Sequence, residues 1–174
     1  MNLTKEKLSE LRGYKEDPQY DDIRVKEKIK ETLLQNDLLL YVLNNKKLVE
    51  SEAEADEYYN RNIFSHYIID PTQTEVQNLI SYEVKFMETT GADDRMKMGQ
   101  IVFVVMCDPE DIIEKTTFIA RHDLLAAMLI KEFNRKNYFG FTSRIISDEP
   151  SVLDDNYACR TLVFELTTYN NITN

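Results

Sequence analysis

Four segments of the chain carry the apolar patterns that are typical of strands. Apolar and polar side chains alternate over residues 80–86, which predicts a strand with one face in contact with solvent. Residues 101–107 are apolar without interruption, so we expect a central strand with both faces covered. The polar residues 88–99 between them predict a long hairpin loop. Residues 141–146 and 158–168 predict a third and a fourth strand.

One amphipathic helix separates the two pairs of strands. It begins at residues 121–123 and ends near residues 134–140. Its apolar stripe, which we expect to pack on the sheet, consists of Leu124, Leu125, Met128, Leu129 and Phe133. Residues 148–156 predict a turn-rich loop between the last two strands. The order over residues 80–169 is therefore ββαββ, an α+β core with an antiparallel or mixed sheet.

The N-terminal part of the chain is predicted to be helical. Residues 1–20 are too polar to form a core and predict an arm with one short helix. After the arm, apolar residues recur at every fourth position, and a second helix capped by Asp37 follows. These helices and an acidic stretch form a helical region over residues 21–57, which an extended aromatic connector over residues 58–79 joins to the core. We therefore predict an arm and a single α+β domain over residues 21–174.

Length and charge exclude several classes of protein. A chain of 174 residues is long enough to bury one core without metals or disulfides. Its net charge of -10 disfavours tight binding of nucleic acid, which depends on Lys and Arg contacts to phosphates. The longest apolar run, residues 101–107, is far shorter than the roughly 20 residues of a membrane-spanning helix. Because residues 1–6 lack a signal-peptide core, we expect a cytoplasmic protein with Cys107 and Cys159 reduced and buried.

Residues that carry catalytic or metal chemistry are few. The only histidines are His66 and His122, so a zinc site built on several histidines is excluded unless carboxylates or thiols contribute. His122 and Asp123 with nearby carboxylates are the candidate for a divalent-ion site. Adjacent helix residues point in different directions, however, so we expect Arg121, His122 and Asp123 to anchor the helix by salt bridges and hydrogen bonds. The four glycines are scattered and form no phosphate-binding loop. We predict no catalytic, cofactor-binding or metal-binding residue.

Several segments, taken in order, resemble one group of virus proteins. They are the apolar helix pair over residues 33–45, the connector over residues 62–68 before Asp70-Pro71, the helix start over residues 121–127, and the stretch from Ser147-Asp148-Glu149-Pro150 to Asn156-Tyr157 with a last strand that contains Phe164. Together they resemble the tail terminator, or tail completion, proteins and similar head-tail connector proteins in the neck of tailed bacteriophages. The resemblance covers about residues 21–169.

The resemblance implies a structural virion protein rather than an enzyme. Members of this group are α+β subunits of a hexameric ring, which caps the finished tail tube, joins it to the head connector and lets genomic DNA pass through its lumen. The implied partners are copies of this chain, the tail tube protein and head-tail connector proteins, with assembly in the host cytoplasm and no cofactor. An acidic wall suits passing DNA because it repels phosphate. The helical region over residues 21–57 is longer than a minimal terminator needs, so another connector protein is the alternative to the preferred terminator.

Two segments are the candidate contacts with a ring neighbour or with the tube. The hairpin loop contributes Asp93, Asp94, Arg95, Met96 and Met98, and the aromatic connector contributes Phe64, His66 and Tyr67. The N-terminal arm and exposed strand edges are further candidates for contacts between subunits.

Two other functions stay open. One is a metal-dependent hydrolase or nuclease that uses His122 and Asp123, which divalent ions would stabilise against heat. The other is an adaptor that binds a peptide on the apolar residues 38–43. A stable monomer with an exposed groove would favour the adaptor.

Overall fold

Helices dominate the N-terminal third of the computed structural model, which describes residues 4–14, 21–67, 78–87, 96–138, 140–153 and 157–169. Side chains of Thr4, Asn36 and Asn45 cap the first, third and fourth α-helices by accepting hydrogen bonds from backbone N–H groups. The predicted helical region is therefore confirmed, although Asn36 rather than Asp37 caps the helix after the first long one. The α-helices are α1 (Lys5–Gly13), α2 (Asp21–Leu34), α3 (Asp37–Leu43), α4 (Lys46–Glu50) and α5 (Arg121–Phe133), and 3-10 helices cover Ala55–Tyr58 and Pro109–Asp111.

Six strands of the described chain form one mixed sheet in the order β1-β2-β3-β6-β5-β4. The strands are β1 (Ile63–Phe64), β2 (Leu79–Met87), β3 (Met96–Cys107), β4 (Asn137–Tyr138), β5 (Phe141–Leu153) and β6 (Tyr157–Tyr169). β1 is parallel to β2, and the other neighbouring strands are antiparallel. The long strands and α5 follow one another as β2, β3, α5, β5 and β6, so the predicted α+β fold with a ββαββ core is confirmed.

One face of the sheet carries the main core. There α5 packs on β3 and β6, α2 packs on β2, and α3 packs on α2 and α5. The ring of Phe103 on β3 is central, since its centroid lies 5.0 Å from Phe133 of α5, 5.7 Å from Phe164 of β6 and 5.9 Å from Tyr82 of β2. All four rings are fully buried. The predicted stripe of α5 is confirmed, because each of its members is buried in or packed against this core: Leu124, Leu125, Met128, Leu129 and Phe133.

The predicted loop over residues 148–156 is wrong in its first part. Residues 148–153 continue β5 and pair with β6 as far as Leu153 opposite Tyr157. Arg160 of β6 also binds the carboxylate of Asp148 through Nε at 2.6 Å and Nη2 at 2.8 Å. Cross-strand hydrogen bonds and this ion pair therefore override a sequence that is typical of a turn.

The other loop and connector boundaries also differ from prediction. Residues 96–99 belong to β3 rather than to the hairpin loop, and they pair with β2 up to Met98 opposite Met87. The connector predicted over residues 58–79 contains β1, which is too short to leave a period-two pattern. The five-residue helix α4 was not predicted either. Among the described residues, no helix has the length and apolar character to cross a membrane.

The cysteines lie on opposite faces of the sheet. Across β3 and β6, Cys107 pairs with Ala158, and Met106 pairs with Cys159. Because successive residues of a strand point to opposite sides, the two thiols cannot face each other. Both are thiols rather than halves of a disulfide, and both are buried, as predicted. Burial raises the pKa of the Cys107 thiol to about 12, so this thiol is inert.

Gly99 is required for the close packing of β3 against β2. It lies opposite Phe86, and a Cβ at this position would be 2.7 Å from the Phe86 ring and 2.9 Å from the carbonyl oxygen of Lys85. We expect Gly99→Ala to lower the free energy of unfolding by about 1–3 kcal/mol, because the ring and the backbone must move apart. Urea unfolding followed by circular dichroism measures this loss.

Gly13 provides a matched control in the same experiment. No described atom lies within 4 Å of a Cβ at Gly13, which is the last residue of α1. Alanine is favoured over glycine by up to about 1 kcal/mol within a helix, so Gly13→Ala should not lose stability. An equal loss in both variants would contradict the packing argument.

Candidate functional site

Three predicted contact residues lie beside the first short strand. The ring centroids of Phe64 and His66 are 6.0 Å apart in an edge-to-face arrangement. His66 and Tyr67 are exposed, whereas Phe64 is half-buried. Phe64 packs against a small cluster of buried side chains, which are Leu79, Met106 and Cys159. Phe64 therefore belongs to the packing of the sheet, while His66 and Tyr67 are available at the surface next to it.

The predicted contacts of the hairpin loop fall into two groups. Asp93, Asp94 and Arg95 lie outside the described residues. Met96 and Met98 are in β3 rather than in a loop, so their prediction as loop residues is wrong. Met98 pairs with the exposed Met87 of β2 and is itself half-buried. Met98 is thus a surface residue of the sheet.

Arg121 at the start of α5 is a buried cation. Its Nε donates to the carbonyl oxygen of Asp111 at 2.9 Å, and its Nη1 donates to the carbonyl oxygen of Val42 at 3.0 Å. The carboxylate of Asp111 lies 3.3 Å from Nε of Arg121. That carboxylate also accepts hydrogen bonds from the side-chain amides of Asn44 at 2.6 Å and Asn78 at 3.0 Å. The predicted anchoring role of this helix start is confirmed for Arg121.

His122 and Asp123 do not join Arg121 in one site. Asp123 accepts a hydrogen bond from Arg160 of β6, which also binds Asp148 of β5. Nε2 of His122 is 3.5 Å from Asp123, and its Nδ1 has no hydrogen-bond partner among the described residues. The described parts of the chain contain no group of three or more His, Cys, Asp or Glu residues that could hold a metal ion. Within those parts, the alternative of a metal site at His122 has no ligand set.

The loop before α5 is built around one carboxylate. Glu114 accepts hydrogen bonds from the backbone N–H of Thr116 at 2.9 Å, from the N–H of Thr117 at 2.6 Å and from the Thr117 hydroxyl at 2.8 Å. These hydrogen bonds, that of the Thr116 N–H above all, lower the pKa of the Glu114 carboxyl to about 2. The backbone of Glu114 also bonds to Ile119 at 2.9 Å and to Phe118 at 2.8 Å. Side-chain and backbone hydrogen bonds together hold the loop in one conformation.

This loop presents an aromatic side chain to solvent. Phe118 is 80% exposed and has a φ of 57°, a left-handed conformation that costs energy for a bulky residue. The hydroxyl of Tyr41 on α3 donates to Glu114 at 3.4 Å, and Leu38 lies one turn earlier on the same helix face. The exposed apolar side chains of α3 and the loop form a surface that we call the apolar patch: Leu38, Tyr41, Ile113, Phe118 and Ile119.

The apolar patch corrects the adaptor surface that the sequence predicts over residues 38–43. Of residues 38–43, only Leu38 and Tyr41 are exposed, because the other four are in the core: Leu39, Leu40, Val42 and Leu43. Sequence analysis missed Phe118 and Ile119 altogether. The available signal was Glu114 three residues before Thr117, a spacing at which a carboxylate can accept hydrogen bonds from a turn.

The second exposed surface is the face of the sheet opposite α5, which we call the open face. Val102 and Val104 of β3 and Thr161 and Val163 of β6 are half-buried at its centre. The buried apolar residues of α2 to α5 all belong to the core on the other face. The small cluster around Met106 on the open face consists of residues of the strands alone. Within the described chain, the open face is therefore left without a helical layer.

One protein family covers most of the chain. The sequence profile of the YomW family matches residues 16–166. The chain belongs to the YomW family. A search of curated proteins found no match. The YomW match begins shortly before α2 and ends within β6, so it includes the apolar patch and the open face, and it leaves α1 outside.

Removing the charge of Arg121 tests its role in this YomW family member. We expect Arg121→Met to lower the free energy of unfolding by about 3–5 kcal/mol, because Asp111 then keeps a buried carboxylate without its cation. The control is Lys28→Met, which breaks a 3.3 Å pair with Glu31 on the surface of α2. Such exposed pairs contribute about 0.2–1 kcal/mol. Urea unfolding of both variants measures these free energies. Similar losses of stability in the two variants would contradict a central role of Arg121.

The depressed pKa of Glu114 predicts a pH dependence of stability. A carboxyl whose pKa is lower in the folded than in the unfolded chain stabilises the fold above its unfolded pKa, roughly 4.3, and loses this effect as pH falls through the folded value. The difference in unfolding free energy between the wild type and Glu114→Gln should therefore be full above about pH 5 and vanish as pH falls to about 2. Thr117→Val removes one of the three hydrogen-bond donors to Glu114, so its loss of unfolding free energy relative to the wild type should be smaller. A loss in Glu114→Gln that does not change with pH would refute this role of Glu114.

Proposed function

We propose that this chain is a structural subunit of the neck of a tailed bacteriophage, namely the tail terminator. In this role, copies of the chain form a ring that caps the finished tail tube and joins it to the head connector. The resemblance over about residues 21–169 supports the proposal. The fold is of the kind that this resemblance implies, with helices packed against an α+β sheet.

The apolar patch is the observation that carries the proposal. Monomeric proteins rarely expose large contiguous apolar surfaces unless they bind a partner there. Phe118 is also held outward at a positive φ by a loop that Glu114 makes rigid. Strained and ordered residues at the surface are typical of binding sites. A subunit that must associate with other subunits has a use for such a surface.

The charge of the chain supports a role around DNA without tight binding to it. A net charge of -10 makes a ring of several copies strongly negative. Negative walls repel the phosphate backbone, so duplex DNA can pass through a lumen without adhering. The proposal assigns no catalytic residue and no cofactor, because Arg121 and Asp123 are engaged in contacts that anchor α5.

The same charge predicts how association depends on salt. Copies of the chain repel one another because each has a net charge of -10. Dissolved ions screen this repulsion, with a Debye length of about 10 Å at 0.1 M salt. We therefore expect the association of purified protein to strengthen as salt rises from about 0.05 to 0.5 M. Multi-angle light scattering across concentration and salt measures it. Association that weakens with salt would point to contacts between opposite charges instead.

The assignment itself is tested by imaging and by capping. Negative-stain images of the large species should show rings with a hole wide enough for duplex DNA. Purified tail tubes mixed with the protein should carry it at one end and no longer elongate when tube protein is added. Binding to the head connector without binding to tubes would favour the alternative head-tail connector protein. A strict monomer that binds neither tubes nor connector would overturn the proposal.

A further inference from the structure

The apolar patch is large enough to be most of one side of an interface. Its side chains are between 45% and 80% exposed. Because a large aromatic side chain buries about 150–250 Å² when it is covered, the patch exposes on the order of 500 Å². A standard interface takes about 800 Å² from each partner. The patch therefore supplies more than half of the area that one partner of a standard interface buries, and the atoms around it must supply the rest.

The open face has the chemistry to receive this patch. Its centre is uncharged and consists of short side chains, mostly valines, on β3 and β6. Charged residues of this face flank its centre. Glu83 of β2 lies opposite Val102 and forms an ion pair with Lys26. Glu149 of β5 lies opposite Thr161 and accepts a hydrogen bond from the Ser147 hydroxyl at 2.8 Å, and Arg144 of β5 pairs directly with Glu165 of β6. Because each of these flanking charges already has a polar partner, an aromatic ring and isoleucine side chains can cover the centre without leaving a charge unpaired.

The two surfaces of one copy cannot meet each other. The apolar patch includes α3, which packs on α2 and α5 on the helical side of the sheet. The open face lies on the other side. We infer that the apolar patch of one copy docks on the open face of the next copy. This inference rests on the proposed ring, and it names the contact that builds it.

Contact between different surfaces sets the symmetry of the assembly. Each copy contributes its patch to one neighbour and its open face to the other, which is a heterologous contact. Such contacts repeat from copy to copy, and they close into a ring when the rotation allows it. Apolar burial has to drive the contact, because like net charges of -10 oppose it. Phe118 is the anchor, since aromatic residues at the centre of an interface carry most of the binding energy.

Two variants test the contact, one by changing the apolar patch and the other by changing the open face. Phe118→Asn removes the ring while it keeps a residue type that readily adopts a positive φ, so the loop should keep its conformation. Thr161→Lys places a charge at the centre of the open face, where Glu149 lies directly opposite on β5 and can pair with it. Each variant should associate at least about tenfold more weakly than the wild type in light scattering. Val152→Asn, at a position that is 69% exposed on β5 outside both surfaces, should assemble like the wild type.

Mixing the two variants tests the pairing of the surfaces. A Thr161→Lys copy retains its patch, and a Phe118→Asn copy retains its open face, so one intact contact is left between them. The mixture should therefore form a one-to-one heterodimer and nothing larger, while each variant alone stays monomeric. A mixture that stays monomeric overturns the inference. So does a Thr161→Lys protein that assembles alone, which would indicate contact between two patches.

The outcomes separate this inference from the proposed function. Wild-type rings that both single variants also form would overturn the pairing and leave the ring intact. A wild type that stays monomeric with and without tail tubes would overturn both. If either variant fails to fold, a photoreactive phenylalanine analogue at position 118 of the wild-type ring replaces it. Cross-links to peptides of β3 or β6 of another copy support the pairing, and cross-links to α3 or to the same loop overturn it.

Discussion

A buried polar network at one end of the sheet joins most elements of the fold. Arg121 ties the start of α5 to the end of α3 and to the 3-10 helix that follows β3. The side-chain amide of Asn78, just before β2, donates hydrogen bonds to the carboxylate of Asp111 and to the carbonyl oxygen of Leu43, each at 3.0 Å. Asn62 next to β1 donates to the carbonyl oxygen of Asn78 at 2.9 Å. A charged pair is costly to bury, and these additional hydrogen bonds offset that cost.

The network also explains why the apolar patch is where it is. The loop over residues 112–120 connects the 3-10 helix at Pro109–Asp111 to α5. Asp111 directly before the loop and Arg121 directly after it are joined by a hydrogen bond. The N–H of Arg121 also donates to the carbonyl oxygen of Ile112 at 2.7 Å. Both ends of the loop are thus held together, and residues 115–119 in its second half are exposed. Glu114 accepts hydrogen bonds from the turn within this projection, and Phe118 is the most exposed of the large apolar side chains on it.

The sequence patterns predict the order of the elements better than their ends. Periodicity is a direct record of which side of a strand or helix is buried, so α5 and the strand cores are found where the patterns place them. The second half of β5 is not predicted, because Asp148, Glu149 and Pro150 have local preferences for turns. Their pairing partners lie in β6, which these local preferences do not take into account. The apolar patch is not predicted for a related reason. Phe118 and Ile119 have the composition of a core strand, and their exposure depends on Glu114 and Arg121 acting across the loop.

The outer edge of β5 has a different consequence for how copies can meet. β4 pairs with β5 only at Phe141 and Thr142, and beyond them no described strand covers this edge. The uncovered part carries two acidic residues and a proline, and a bulge lies between Ile145 and Ser147. Charge, proline and bulges at an edge are the features that prevent sheets from joining strand to strand. The chain can therefore be made in many copies without merging into a continuous β-sheet, the first step toward fibrils.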